Sequence, residues 1–368
     1  MLHPYAHAPT RDAMQAVFDG MDNPDGNFVK DFQTTGFDAR VWELYLYAWG
    51  TLSGHYQVYR PHDRPDFRFS RNLRTVWIEA CVAGEGPAGT LRVDPDADEA
   101  ARLMHQRERH YNFVPLRIGG ALFRKLKEEY WTLEWVDGLP FVLAVADFHD
   151  PFPARDTSGA LASYLYGVTE EILSKEGEPL RRGLKAIPDH RKPTGATVPT
   201  GFFNQPGAEN VSAVLFSNAG TAPKFSRMGY DPERHAFLKM VRYGFRANFD
   251  PNAIVPTPFA YVVGGDEDQE TWGEGMEVFY NPNARIPLPP NFFPDACEHA
   301  LGRDFIESQA LPDHPMMSVT GKWCEPSGSA FSDPDIFERL ARALQQRVEF
   351  DMADAETFVR NFMKPDGS

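Results

Sequence analysis

The chain has 368 residues, a formal net charge of −15, 42% hydrophobic and 13% aromatic residues. That apolar share supports a sizeable core and excludes disorder as the default state, while the acidic balance excludes a generally basic surface for gripping nucleic acid. Cys81, Cys297 and Cys324 form no CxxC pair, which argues against a structural zinc site or a disulfide framework, and no run reaches the roughly 18 apolar residues of a membrane span.

Taken in chain order, residues 1–36 read as a polar segment of turns around Asp22-Asn23-Pro24-Asp25-Gly26 rather than a domain. Val41, Leu44, Tyr45, Ala48 and Leu52 then repeat at helical spacing, Gly54 stops the run, and Glu43 sits beside the apolar stripe. Three strands are expected next: His55 to Arg60, Asp66 to Ser70 after Pro65, and Val76 to Ala83, which is apolar except for Glu79. An apolar run of this kind suits a strand covered on both faces. Asp98 to His110 and Ile118 to Trp131 read as helices, Phe141 to Phe148 as a second buried strand and Leu161 to Tyr166 as a short helix. The order suits an α/β fold, a mixed central sheet flanked by helices.

Beyond residue 187 prolines accumulate, and the pattern loosens into a loop-rich extension. Val211 to Ser217 is one more buried strand; Asp335 to Val348 and Ala353 to Phe362 are amphipathic helices. The division expected is a polar segment 1–36, a core 37–170, added strands and loops packed on it over 171–300, and a helical segment 301–368. Two basic stretches stand out, Arg181 to Lys192 and Lys224 to Arg246, for which solvated surface is the expected state.

Asp66 and Glu79 are the residues with chemical content. An ionised carboxylate inside a strand is costly unless it is paired or binds a cation. Two of them on neighbouring strands can share one Mg²⁺, which prefers oxygen ligands and keeps waters for a substrate. Glu43, from the preceding helix, can complete the cluster. The segments WELYLYAWGTLSG (42–54), RPDF (64–67) and VWIEACVA (76–83) resemble a bacterial branch of the PD-(D/E)xK, restriction-endonuclease-like nuclease superfamily. The likeness runs more loosely through residues 37–290. It implies a metal-dependent phosphodiesterase acting on nucleic acid, DNA ahead of RNA, with Mg²⁺ or Mn²⁺ held by Asp66, Glu79 and Glu43.

One position departs from the superfamily pattern. Cys81 stands where a lysine is expected two residues after the strand glutamate, and a neutral thiol cannot supply that positive charge. Related proteins bring the cation from a nearby helix, which points to Lys125 or Lys127, with Arg117 as a third choice. The alternative is a catalytically degenerate nuclease fold serving as a nucleic-acid-binding or protein-interaction module. A cytoplasmic protein away from membranes is expected.

Other motifs carry less. Gly84-Glu85-Gly86-Pro87-Ala88-Gly89 matches GxGxxG, but Pro87 and the following Thr90 to Pro95 give no helix to meet a pyrophosphate, so a small-molecule enzyme using this loop ranks third. Thr320-Gly321-Lys322 lacks the upstream glycine of a P-loop, and His105 and His110 miss the four-residue zinc spacing. Cys297-Glu298-His299 is short and isolated, and no serine lies in a GxSxG elbow.

Overall fold

A computed structural model describes residues 4–22, 26–84, 98–148, 154–173, 182–192, 194–246, 248, 256–325 and 331–346. In chain order its elements are α1 (Ala8–Asp19), α2 (Phe28–Phe32), α3 (Phe37–Leu52), β1 (Gln57–Tyr59), β2 (Phe67–Arg71) and β3 (Arg74–Val82). Then come α4 (Glu99–Glu108), α5 (Val114–Leu126), β4 (Phe141–Ala146), α6 (Ala154–Tyr166), β5 (Val168–Ile172), β6 (Arg182–Ala186), β7 (Asp189–Arg191) and β8 (Thr197–Pro199). The rest are β9 (Ala213–Ser217), α7 (Ala222–Met228), β10 (Leu238–Arg246), β11 (Thr257–Val262), β12 (Glu277–Tyr280), β13 (Cys297–Leu301), β14 (Ile306–Gln309), β15 (Pro315–Cys324) and α8 (Asp335–Gln345). The protein is a mixed α/β protein. Among the described residues no helix is long and apolar enough to cross a membrane.

Two compact units divide these elements, one from residues 21–221 and 275–311, the other from 1–20, 222–274 and 312–368. The first is built on an eight-stranded sheet in the order β1-β2-β3-β4-β9-β12-β13-β14. β2 pairs antiparallel to both β1 and β3, β3, β4 and β9 run parallel, and β12 pairs antiparallel to β9 and parallel to β13. β4 and β9 are buried throughout, which is why Phe141 to Ala146 and Ala213 to Ser217 carry unbroken apolar runs. Strand alternation turns Trp77 and Cys81 toward Ile118, Ala121 and Leu122 of α5, and Glu79 lies between them on the same side. The indole of Trp42 on α3 donates to the carbonyl of Ala144 at 3.0 Å, pinning that helix to β4. Trp42, Trp49 and Trp77 are fully buried. Each removes on the order of 200 Å² from water, about 5 kcal/mol at the usual area coefficient and an upper bound.

Two features depart from the sequence expectation in this unit and its neighbour. Residues 1–36 are not simply turns: α1 and α2 lie there, and Met14 and Val17 of α1 are buried although the local apolar pattern is weak. The two helices expected over 98–110 and 118–131 are joined through Leu126 by a π-helical turn, Arg109–Phe113. Pro115 lacks an amide and would crowd the carbonyl four residues back, so the wider turn absorbs it without ending the helix. The helix expected at Ala353 to Phe362 lies outside the described residues.

The second unit holds the antiparallel sheet β11-β10-β15. Val241, Tyr243, Ala260 and Val262 pack against Phe337, Leu340, Ala341 and Leu344 of α8. Arg242, on the opposite face of β10, is buried and meets Glu274 at 2.6 Å, Glu270 at 3.3 Å and the Tyr261 hydroxyl at 2.9 Å. Lys224 and Arg227 close on Glu270 at 2.7 and 2.6 Å. Lys224, Arg227 and Arg242 are thus an interior network, where solvated surface was expected; the carboxylates that pair them lie some 30–50 positions on in sequence.

Lys322 on β15 lies near Arg227 of this network. Its ammonium donates to Ser226 Oγ at 2.7 Å, and burial together with Arg227 pushes it down to about 8. A lysine lowered below its unfolded value costs stability wherever it must stay charged, fully below about pH 8, and the cost fades as pH rises toward the unfolded range near 10.5. Lys322→Met is therefore expected to raise the melting temperature at pH 7, with the gain shrinking as pH climbs past 8. Scanning calorimetry of both proteins at pH 7 and pH 9.5 decides it, and an unchanged or lower value at pH 7 counts against the argument.

Candidate metal and phosphate cleft

The register of β2 and β3 brings the two strand carboxylates together. Phe67 pairs with Ile78, which sets Asp66 opposite Glu79. The link is reciprocal: the Ala80 amide donates to Asp66 Oδ2 at 2.8 Å, and the Asp66 amide donates to Glu79 Oε2 at 3.3 Å. Arg64-Pro65, just before Asp66, is a cis peptide. Glu79 is 3% exposed, and burial followed by the charge of Asp66 pushes its carboxyl up to about 8.

Lys125 reaches this pair from α5. Its Nζ lies 2.5 Å from Glu79 Oε1 and 5.9 Å from the Tyr130 ring. Burial works most strongly against the ammonium, but Glu79, Asp66 and Tyr130 together outweigh it and hold Lys125 above its ordinary value. Cys81 feels that same ammonium, yet burial dominates and pushes the thiol up to about 12. It is neutral at any physiological pH. An ammonium carried by α5 thus lies beside the strand that bears Glu79 and Cys81.

Glu43 is 6% exposed and differently engaged. Arg40 Nη1, one turn earlier on α3, meets both its oxygens at 2.9 and 3.0 Å, and Arg60 Nη2 meets Oε2 at 3.0 Å. Burial and the nearby Asp66 still raise the Glu43 carboxyl to about 7. Arg40 also holds Asp31 at 2.6 Å, and Arg60, over the Phe67 ring, comes within 3.7 Å of Asp66 Oδ1. Glu43 thereby anchors two guanidinium groups, of which that of Arg60 lies near Asp66, and both its oxygens are engaged by them.

A cleft of about 590 Å³ opens over these groups, lined by Glu43, Asp66, Glu79, Cys81 and Lys125, with Arg64, Arg124 and Tyr130 among the other walls. Of the residues singled out in the sequence, Lys127 is not brought in: it is exposed and lies over the Phe123 ring at 4.7 Å. Arg117 belongs to a separate buried pair, with Asp147 at 2.8 and 2.9 Å, and its Nε donates to the Gly84 carbonyl. Beyond Gly84, the GxGxxG loop lies outside the described residues. Sequence reasoning missed Arg40, Arg60 and Arg124. Arg40 was legible in principle, because Arg40 and Glu43 stand three apart on one helix face.

The donor chemistry fits a hard divalent cation. Asp66 and Glu79 offer carboxylate oxygens at one wall of an open cleft, and Mg²⁺ commonly takes one or two carboxylates and completes its shell with water and phosphate. The raised Glu79 carboxyl reports two acids too close for comfort in a desolvated place, a strain that a cation relieves. Among the described residues no group of three or more His, Cys, Asp or Glu side chains is placed to hold a metal ion. Searches against family profiles, curated proteins and solved structures returned no match to this chain.

Proposed function

We propose that the chain is a metal-dependent phosphodiesterase that cuts nucleic acid, DNA ahead of RNA, on a restriction-endonuclease-like core. The observation that carries this reading is the arrival of Lys125 at Glu79 Oε1, 2.5 Å away, beside the cysteine that stands in the strand-lysine position. Two carboxylates and an ammonium at one cleft wall suit metal-assisted hydrolysis of a phosphodiester.

Asp66 and Glu79 would hold Mg²⁺ or Mn²⁺ through their carboxylate oxygens. Bound there, a cation would supply a more acidic water and relief of charge on the scissile phosphate. Lys125 is placed to orient the attacking water and would meet the negative charge that grows on the phosphoryl oxygens. Arg64 and Arg124 line the cleft and suit contacts to flanking phosphates. Glu43 acts at one remove, holding Arg40 and Arg60 so that Arg60 stays near Asp66. The Cys81 thiol, held protonated, takes no nucleophilic part.

Two observations favour a second reading, a non-catalytic nucleic-acid-binding or protein-interaction module. Glu43 and Glu79 already have cationic partners within the chain, and a net charge of −15 weakens any broad grip on phosphate. The deciding experiment incubates the full chain with end-labelled duplex DNA, single-stranded DNA and RNA, in Mg²⁺, in Mn²⁺ and in chelator. Cation-dependent cuts support the nuclease. Intact substrates under every condition from pH 6 to pH 9 leave the second reading standing.

A further inference from the structure

At the far edge of the eight-stranded sheet, three side chains from successive strands form a hydrogen-bonded chain that the metal cleft does not use. Glu277 Oε2 on β12 lies 3.0 Å from His299 Nε2 on β13, and His299 Nδ1 lies 2.8 Å from Ser308 Oγ on β14. Register produces the row. Phe279 pairs with His299 and His299 with Ser308, and Glu277 stands one pleat back on the same face. The imidazole lies flat on the Phe279 ring, centroids 4.5 Å apart and planes 15° from parallel. Ser158 of α6 holds the second glutamate oxygen, Oε1, at 2.5 Å.

The direction of the protons follows from the donors available. A carboxylate only accepts, so His299 Nε2 carries the hydrogen of that bond. In the neutral ring Nδ1 is then the acceptor, and the Ser308 hydroxyl must donate to it. Exposure is graded to match: Glu277 is 5% exposed, the His299 side chain 15%, and Ser308 is open on an edge strand. Ordinary cross-strand pairing accounts for Ser308 and His299. It does not account for a carboxylate buried behind the ring and tied by a second hydroxyl, an arrangement that costs desolvation.

We propose that Ser308, His299 and Glu277 form a second catalytic centre, an acyl-transfer site at which Ser308 is the nucleophile toward small, accessible carboxylic esters. Ser308 Oγ bonds to the carbonyl carbon while its proton passes to His299 Nδ1. The bond from that carbon to the alcohol oxygen breaks, and the leaving alkoxide takes the same proton. Water, deprotonated by His299, then attacks the acyl-serine, releases the carboxylic acid and returns the proton to Ser308. Glu277 is a positioning residue, fixing the imidazole and stabilising its protonated form. No local motif announces the site, because its members come from three strands and none lies in a nucleophile elbow.

The test uses the full chain, a fluorophosphonate probe and p-nitrophenyl acetate, all in chelator so that the metal cleft is silent. The expected result is one covalent adduct, mapped to Ser308 by peptide mass, and ester hydrolysis that is lost together with the adduct in Ser308→Ala and His299→Ala. Ser308 is exposed, so its alanine variant keeps the wild-type melting temperature. In Glu277→Gln the limiting rate of labelling falls by about 10²-fold or more, while the half-saturating probe concentration holds. A purely structural role would not give that split. Absence of an adduct at Ser308 in the wild type, or undiminished labelling in His299→Ala, overturns the proposal.

Discussion

Asp66→Asn and Glu79→Gln, assayed for Mn²⁺-supported cleavage of linear duplex DNA, are each expected to lose about 10³-fold or more in rate. That loss corresponds to roughly 4 kcal/mol of transition-state stabilisation, the scale on which a bound cation acts. Both substitutions nearly preserve shape, and the asparagine oxygen can still accept the Ala80 amide that Asp66 Oδ2 now accepts. Each variant is therefore expected to keep the fold while losing the anionic oxygen that a cation would require. The two variants also differ in their pH behaviour. Glu79 sits at about 8, so at neutral pH in the cation-free protein it holds a proton that a divalent cation must displace. Raised above its unfolded value of about 4.5, it contributes stability at low pH that is lost as pH rises through 8. Cation affinity runs the opposite way, strengthening by up to about tenfold per pH unit below 8 for the one proton displaced. Mn²⁺ titration by calorimetry at pH 6.5 and 7.5 reads this slope directly. Glu79→Gln should flatten it. Cleavage at the wild-type rate in both folded variants would falsify the nuclease reading.

The elements that carry the cleft were legible because each obeys a local rule. α3 shows a helical stripe with a stop, and β3 and β4 are apolar runs of strand length. Asp66 and Glu79 stood out because charge inside such runs is costly, and the strand register does set them side by side. What sequence could not supply was the direction of side chains from elements far apart in the chain. Lys125 and Lys127 differ by two positions, about 200° around a helix, so one enters the cleft while the other lies over Phe123 in solvent. Arg60 sits in a polar stretch that gives no sign of burial, yet it is 6% exposed beneath Glu43 and Asp66. His299 looked isolated because its partners lie 22 residues before it and 9 after, joined only by strand pairing. The basic stretch from Lys224 misled for the same reason: Glu270 and Glu274, which bury it, are supplied by a later loop.

Glu43 illustrates how a residue can be well placed and still hold a different task. In sequence it completes a trio of acids. In the folded chain Arg40 and Arg60 take both its oxygens, so its influence on Asp66 passes through Arg60 at 3.7 Å. Its carboxyl, raised to about 7 by burial and by Asp66, makes that grip pH-sensitive: the pair with Arg40 and Arg60 is complete only once the proton has left.

Lys125 carries the remaining weight, and replacing it is expected to separate a working site from a degenerate one. Lys125→Ala should slow cleavage by about 10²- to 10³-fold, the usual loss when one group that stabilises transition-state charge is removed. Lys127→Ala, whose side chain stays outside the cleft, should remain within about twofold of wild type. Part of the Lys125→Ala loss has a trivial origin, since Glu79 then lacks its ion pair, keeps its proton more tightly and binds the cation less well. Saturating Mn²⁺ removes that part and leaves the effect on chemistry. Moving the charge back to the strand then tests position against identity. Cys81 lines the same cleft and lies within the electrostatic reach of Lys125. A lysine introduced there in the Lys125→Ala background is expected to recover activity by tenfold or more at saturating cation. Recovery means that the site needs an ammonium at one point in space and is indifferent to the element that delivers it. Failure of the double variant to recover, with its fold and cation affinity intact, would show that Lys125 serves only to neutralise Glu79.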